Sequence, residues 1–163
     1  MVKASEKETD FVEDMIRNRI SETLIEQLFL IMGYDVFNYD IKNSIPGMAR
    51  LLNGVESEIA KELRRMPDFV VRKGENIFFV EVKFLESEEF SIADIPKSYP
   101  FHNCYFIIVS RQNIKCITYG ELKSGEKIHP LDNKYLSERK EFSLNKKVMT
   151  DFSEFAIKVF HAL

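Results

Sequence analysis

Residues 77–84, Ile-Phe-Phe-Val-Glu-Val-Lys-Phe, constrain this chain more than any other stretch. Side chains along a β-strand alternate between faces. Phe78, Val80, Val82 and Phe84 therefore share a purely apolar face that must meet a core, and Ile77, Phe79, Glu81 and Lys83 share the other. A charge inside a strand is costly unless it is paired, solvated or coordinates a metal. Glu81 and Lys83 must emerge together near the strand's end. The preceding run, Asp68 to Arg72, is joined to this one by Lys73-Gly74-Glu75-Asn76. With Gly74-Glu75 as a two-residue loop, glycine in first place suits a type II′ turn. Lys73 then pairs with Asn76, and counting outward brings Asp68 across from Glu81. Directly opposed Cβ atoms lie roughly 5 Å apart, and two carboxylates that close repel unless something positive lies between them. A divalent cation meets that need, and hard oxygen ligands favour Mg²⁺. Pro67 cannot donate to a sheet ladder, so it belongs at the strand's first residue or on an edge. Asp68 is thereby expected at the rim of the sheet, within reach of water.

The remaining pattern predicts an α/β chain. From Phe11 to Met32, apolar residues recur near a helical period, and Gly33 follows as the stop signal; residues 1–10 read as a polar, frayed start. Residues 34–40 alternate as a strand. Residues 41–65 read as a helical insertion, with an apolar stripe from Met48 to Met66 and Arg50, Lys61, Arg64 and Arg65 off that stripe, either as a solvated basic face or as phosphate contacts. Pro96 and Pro100 limit residues 87–100 to a loop with at most a short helical turn. Residues 104–110 read as a fully buried strand and 114–122 as its neighbour. Residues 123–150 carry no clear pattern, and 151–163 close the chain as an amphipathic helix with Asp151 as a plausible N-cap.

At 163 residues the chain is expected to form one domain with one core, its last part (123–163) an extension ending in the terminal helix. With 14 Phe and no Trp, that core should be rich in phenylalanine. A net charge of −3 argues against a broad cationic surface but leaves room for a local basic groove. Cys104 and Cys116 both sit in apolar runs and read as buried, reduced thiols. No run is apolar and long enough to span a bilayer, so a cytoplasmic protein without membrane partners is expected. His102, His129 and His161 are scattered, which speaks against a zinc site. No phosphate-binding glycine loop, dinucleotide fingerprint or EF-hand loop is present, so no nucleotide cofactor is expected.

Pro67-Asp68 followed by Glu81-Val82-Lys83 on the next strand resembles the PD-(D/E)XK signature of restriction-endonuclease-like nucleases, with some similarity to archaeal Holliday-junction resolvases. The likeness extends over roughly residues 11–120 and includes the leading helix that ends at glycine. It implies an αβββαβ core with a mixed central sheet flanked by helices, here with the helical insertion before the second strand. It also implies Asp68 and Glu81 as Mg²⁺ ligands (Mn²⁺ able to substitute), aided by the backbone carbonyl of Val82. Lys83 would orient the attacking water and offset phosphate charge. A helix glutamate would complete the metal shell: Glu22 or Glu26, one turn apart, with Glu22 preferred because it stands farther from Gly33. The expected activity is endonucleolytic hydrolysis of DNA leaving 5′-phosphate and 3′-hydroxyl ends. DNA would be held through its phosphates by Arg50, Lys61, Arg64, Arg65 or Arg72, by a homodimer that cuts both strands. Two other readings remain open: a non-catalytic nucleic-acid- or protein-binding module retaining the fold, and a structure-specific junction resolvase. The residues also admit a plain surface hairpin in which Lys83 merely pairs with Glu81.

Overall fold

The computed structural model describes residues 2–39, 54, 57–59 and 66–163. Arg50, Lys61, Arg64 and Arg65, and with them most of the helical insertion expected over 41–65, lie outside the described residues.

Helix α1 (Val2–Ile31) leads into β1 (Asp35–Asn38), followed by β2 (Phe69–Lys73), β3 (Asn76–Phe84), β4 (Cys104–Val109) and β5 (Ile114–Thr118); short α2 (Tyr119–Lys123) and long α3 (Lys146–His161) complete the order. The described strands form a five-stranded sheet in the order β1-β2-β3-β4-β5. β1–β2, β2–β3 and β4–β5 are antiparallel and β3–β4 is parallel. The mixed sheet with flanking helices is the α/β architecture expected from the sequence. The hairpin closes as counted: Gly74 sits at φ +62°, and Lys73 pairs with Asn76, Arg72 with Ile77, and so outward to Phe69 with Val80.

Each face of the sheet carries its own apolar cluster. Leu24, Ile25, Leu28 and Phe29 of α1 pack with Val80, Val82 and Phe84 on the first face, together with Met149, Ala156 and Phe160 of α3. Residues 123–163 are thus part of that core. Phe142, fully buried, contacts the rings of Phe29, Phe78 and Tyr105 at 5.2, 5.1 and 4.8 Å, and its carbonyl accepts a 2.6 Å bond from the Tyr34 hydroxyl. The second face buries Cys104, Phe106, Ile108 and Ile117 beneath Phe90, Ile95, Tyr99 and Leu122. Both cysteines are buried and free, and burial raises the Cys116 thiol to about 12.

Where the parallel β3–β4 crossover would carry a helix, a single 3₁₀ turn stands at Ile92–Asp94, capped by Ser91 and followed by Pro96. The crossover is anchored by Lys115, which is 0% exposed. Its ammonium lies 3.1 Å from Glu88 and 3.2 Å from Asp132, and donates to the His129 carbonyl at 2.8 Å. Glu88 adopts φ +52° and accepts further bonds from Ser110 at 2.5 Å and Asn113 at 2.8 Å. Burial alone would raise the Glu88 carboxyl, but these donors and Lys115 outweigh it and leave it below its ordinary value of 4.5. Asp132 is lowered in the same way, against its burial, by backbone N–H groups and Lys115.

Three sequence expectations change at element ends. Helix α1 begins at Val2 rather than Phe11, so residues 2–10 are helical. The strand expected over 114–122 stops at Thr118, whose side chain forms a reciprocal capping box with Glu121 and turns the chain into α2. The last helix starts at Lys146 because the Asn145 side chain accepts from the N–H groups of Lys147 and Val148; Asp151 lies inside the helix.

Phe142→Ala removes a ring enclosed on three sides and is expected to cost about 3–5 kcal/mol in urea unfolding. The lowered Glu88 and Asp132 contribute stability above their unfolded pKa values, and this is lost as pH falls through the folded ones. Lys115, against a burial that would lower it, is raised by the two carboxylates, so its contribution persists until pH rises past its ordinary 10.5. Unfolding free energy should therefore decline below pH 4.5 in the wild type. Lys115→Met, which leaves Glu88 buried without its cation, should lose about 3–5 kcal/mol at pH 7.

Candidate active site

Beyond the Phe69–Val80 pair the main-chain ladder gives way to two side-chain bonds. The Asp68 N–H donates to Glu81 Oε2 at 3.2 Å, and the Val82 N–H donates to Asp68 Oδ2 at 2.8 Å. Pro67 is buried just before, at the point where β2 starts. Each carboxylate is thus bound to the backbone of the other's strand, which holds both at one rim of the sheet. Both side chains are partly exposed, and Lys83 Nζ stands 3.9 Å from Glu81 Oε1. The three residues that the hairpin register brings together on paper are together in the structure.

The ground behind them is apolar. Phe79, two residues before Glu81, packs into the second-face cluster with Tyr99 and Cys104. The Tyr99 hydroxyl is buried and has no hydrogen-bond partner among the described residues. Burial raises both the Tyr99 phenol and the Cys104 thiol above their usual ranges, and the negative charges of Glu81 and Asp68 push each further up. Cys104 pairs with Phe79, two residues before Glu81, and Tyr99 packs in the same cluster, so both adjoin the carboxylate end of β3. Their place was not evident in the sequence, because Tyr99 reads as a loop residue between two prolines.

Helix α1 runs beside β3 in the opposite direction. Asn18 Oδ1 accepts from the Phe84 N–H at 2.9 Å at one end, and the Met32 carbonyl accepts from Lys73 Nζ at 3.0 Å at the other. One helical turn from Asn18, about 6 Å, brings Glu22 level with Val82, and a further turn brings Glu26 level with Val80. Both glutamates are half-buried. Yet α1 packs on the apolar first face, whereas Glu81 and Lys83 project from the second. Among the described residues no three His, Cys, Asp or Glu side chains gather at one point. The site as it stands is two carboxylates and a lysine. Arg72 is not part of it: four residues up β2, about 13 Å from Asp68, it is exposed and pairs with Asp35 across the sheet at 2.9 Å.

The donor set fits a hard cation. Mg²⁺ is typically bound through one or two carboxylates, with waters and phosphate oxygens filling its octahedron, so a third acid is not required. Oxygen donors at a partly solvated rim, beside an ammonium that can face a phosphate, suit that chemistry better than the soft ligands of zinc or copper.

No family model matches the chain, and no curated protein matches it. No helix among the described residues is long and apolar enough to cross a membrane. Among solved structures the chain is similar to Hjc, a Holliday junction resolvase from the archaeal hyperthermophile Archaeoglobus fulgidus, at 16% identity over 82% of this chain and 98% of that one, with a TM-score of 0.43.

Proposed function

We propose that this protein is a Mg²⁺-dependent endonuclease that hydrolyses phosphodiester bonds of DNA. The observation that carries the proposal is the carboxylate pair bound into the sheet rim, Val82 N–H to Asp68 at 2.8 Å and Asp68 N–H to Glu81 at 3.2 Å, with Lys83 beside it. Asp68, Glu81 and the Val82 carbonyl would hold the ion, with Glu22, or failing that Glu26, completing its shell. When bound, the ion supplies Lewis acidity toward the scissile phosphate and toward water. Lys83 donates to the attacking water and orients it for in-line displacement. Its ammonium also faces the charge that builds on the phosphate oxygens, an interaction stronger in the transition state than in the ground state. The apolar residues Phe79, Tyr99 and Cys104 lie behind the pair, while Lys83 keeps a partly exposed side chain at the rim. DNA would be held largely through its phosphates by Arg50, Lys61, Arg64, Arg65 or Arg72. Cutting both strands of a duplex calls for two such sites, hence two copies of the chain.

One observation favours a second reading, a non-catalytic binding module: no third acid gathers with the pair among the described residues. Metal binding separates the two. Mn²⁺ or Mg²⁺ at about 100 times its Kd should stabilise the wild type by about 2.7 kcal/mol, seen as a raised Tm, and should leave Asp68→Asn unshifted. Equal shifts in both proteins, or none in either, would favour the module.

Activity gives the second test. Wild-type protein with Mg²⁺ should nick supercoiled plasmid or cut one of a panel of duplex, flap and four-way DNAs. Lys83→Ala should bind the same DNA while its kcat falls by about 10²–10³. Undiminished cutting by that variant would remove Lys83 from the mechanism.

A further inference from the structure

Among the described residues nothing packs against α1 from Lys7 to Ile16. From Lys7 to Ile16 every residue is exposed, although Phe11, Val12, Met15 and Ile16 are large and apolar, with exposures of 70, 45, 39 and 43%. Isolated helices of about 12–15 residues are marginal in water, and most helical stability in proteins comes from packing an apolar face. Among the described residues, the 30-residue α1 lacks that source from Lys7 to Ile16.

The stripe is not a prolongation of the face that enters the core. At about 100° per residue, Phe11, Val12, Met15 and Ile16 centre on a direction roughly 140° around the helix from Ser21, Leu24, Ile25, Leu28 and Phe29. Packing the second half of α1 on the sheet therefore turns this stripe away from the sheet. The opposite side of the same segment is polar and internally paired, Arg17 lying 3.3 Å from Glu13 and 3.4 Å from Asp14. Among the described residues the stripe is a separate apolar surface without a cover.

Its ends say what would cover it. On the centre line lie Glu8, Val12, Met15 and Arg19, at spacings of four, three and four, the rhythm of a coiled-coil seam. Phe11 and Ile16 flank the line on its two sides. One end is acidic and the other basic, both exposed. A second α1 laid antiparallel, with a two-fold axis between Val12 and Met15, sets Val12 against Met15 of the other copy, Phe11 beside its Phe11 on one flank and Ile16 beside its Ile16 on the other. The same axis sets Glu8 against Arg19 of the other copy, twice. A surface that complements itself in both shape and charge under one two-fold rotation fits an isologous contact.

We propose that the Glu8-Val12-Met15-Arg19 face of α1 is a self-association seam on which a second copy of this chain packs its own α1 antiparallel. This goes beyond the nuclease reading by naming a contact for two copies, and it stands on observations independent of the carboxylate site. Sedimentation of the full chain tests it. The wild type should run as a dimer, and Met15→Glu as a monomer. Glu8→Arg and Arg19→Glu, each of which sets like charges together at both ends, should weaken self-association at least about tenfold. An equimolar mixture of those two variants should recover the dimer, since one chain then brings a basic residue, and the other an acidic one, to both ends of the seam. Because these positions are exposed, each variant should keep the wild-type circular dichroism spectrum and the Mn²⁺-induced rise in Tm. A monomeric wild type, a dimer indifferent to Met15→Glu, or a mixture no tighter than its components would overturn the seam. None of these outcomes bears on the metal site, whose failure is read from the Asp68→Asn melting comparison.

Discussion

Gly74 takes φ +62°, a backbone region that residues with a Cβ rarely adopt, and the two-residue turn it permits fixes the register of β2 on β3. Everything at the sheet rim depends on that register. Shifted by one residue, β2 would carry Phe69 and Val71 to the second face and Asp68 to the first, under α1, because strand side chains alternate with period two. The apolar first face resists such a slip strongly: Phe69, Val71, Val80 and Val82 are each at most 3% exposed there. The hydrophobic core and the carboxylate pair are thus two consequences of one alignment. The core supplies the free energy, and the pair inherits a position it could not hold alone, since two neighbouring acids oppose each other.

The two faces of the sheet divide the work. Long helices cover the first, and its contents are apolar throughout. The second is covered by an irregular crossover, and that is where charge enters. Lys115 and Glu88 hold the crossover to β5 from inside. Glu88 accepts a left-handed conformation costing about 1–2 kcal/mol, which its bonds to Ser110, Asn113 and Lys115 offset. A segment with so little regular structure would otherwise be free to move, and with it Tyr99, which packs beside Cys104 behind Asp68 and Glu81. The buried ion cluster is remote from the rim in contact but close to it in consequence, since it fixes the loop that begins right after Phe84.

Much of this was legible because it is local or periodic. The hairpin could be counted from Gly74, the faces of residues 77–84 from their alternation, the buried β4 from an unbroken apolar run, and the end of α1 from Gly33. What stayed hidden depends on contacts between distant residues. Asn145 caps α3 in place of Asp151; both residue types can cap, and only the packing of Met149 and Phe142 decides which turn comes first. Residues 123–150 look featureless since their order comes from single anchors, Leu136 and Phe142 in the core and Arg139 on Glu121, rather than from a repeating pattern. Lys115 inside Ile-Lys-Cys-Ile poses the same problem as Glu81 inside its strand, yet its partners lie 27 residues before it and 17 after. The rule that demands a partner does not name one. The place of Glu22 and Glu26 relative to the pair was hidden for a similar reason. Helical spacing places Glu22 and Glu26 on one side of α1 but says nothing of which face of the sheet that side meets.

Helix α1 joins the two functional ideas into one mechanical object. Its second half is part of the core, and Asn18 closes the end of β3 through the Phe84 N–H. Arg19, the next residue, is the end of the exposed seam. Glu22, level with Val82, follows within one turn. Anything that grips the first half of the helix therefore restrains, over less than two turns of a stiff rod, Asn18 at the end of β3 and Glu22. A helix is well suited to this, since bending it means breaking hydrogen bonds at the bend, whereas a loop would absorb the strain. The length of α1 beyond what the core needs then has a physical use. It is the lever through which a contact made far from the sheet can hold Asn18, and with it the end of β3, in one position.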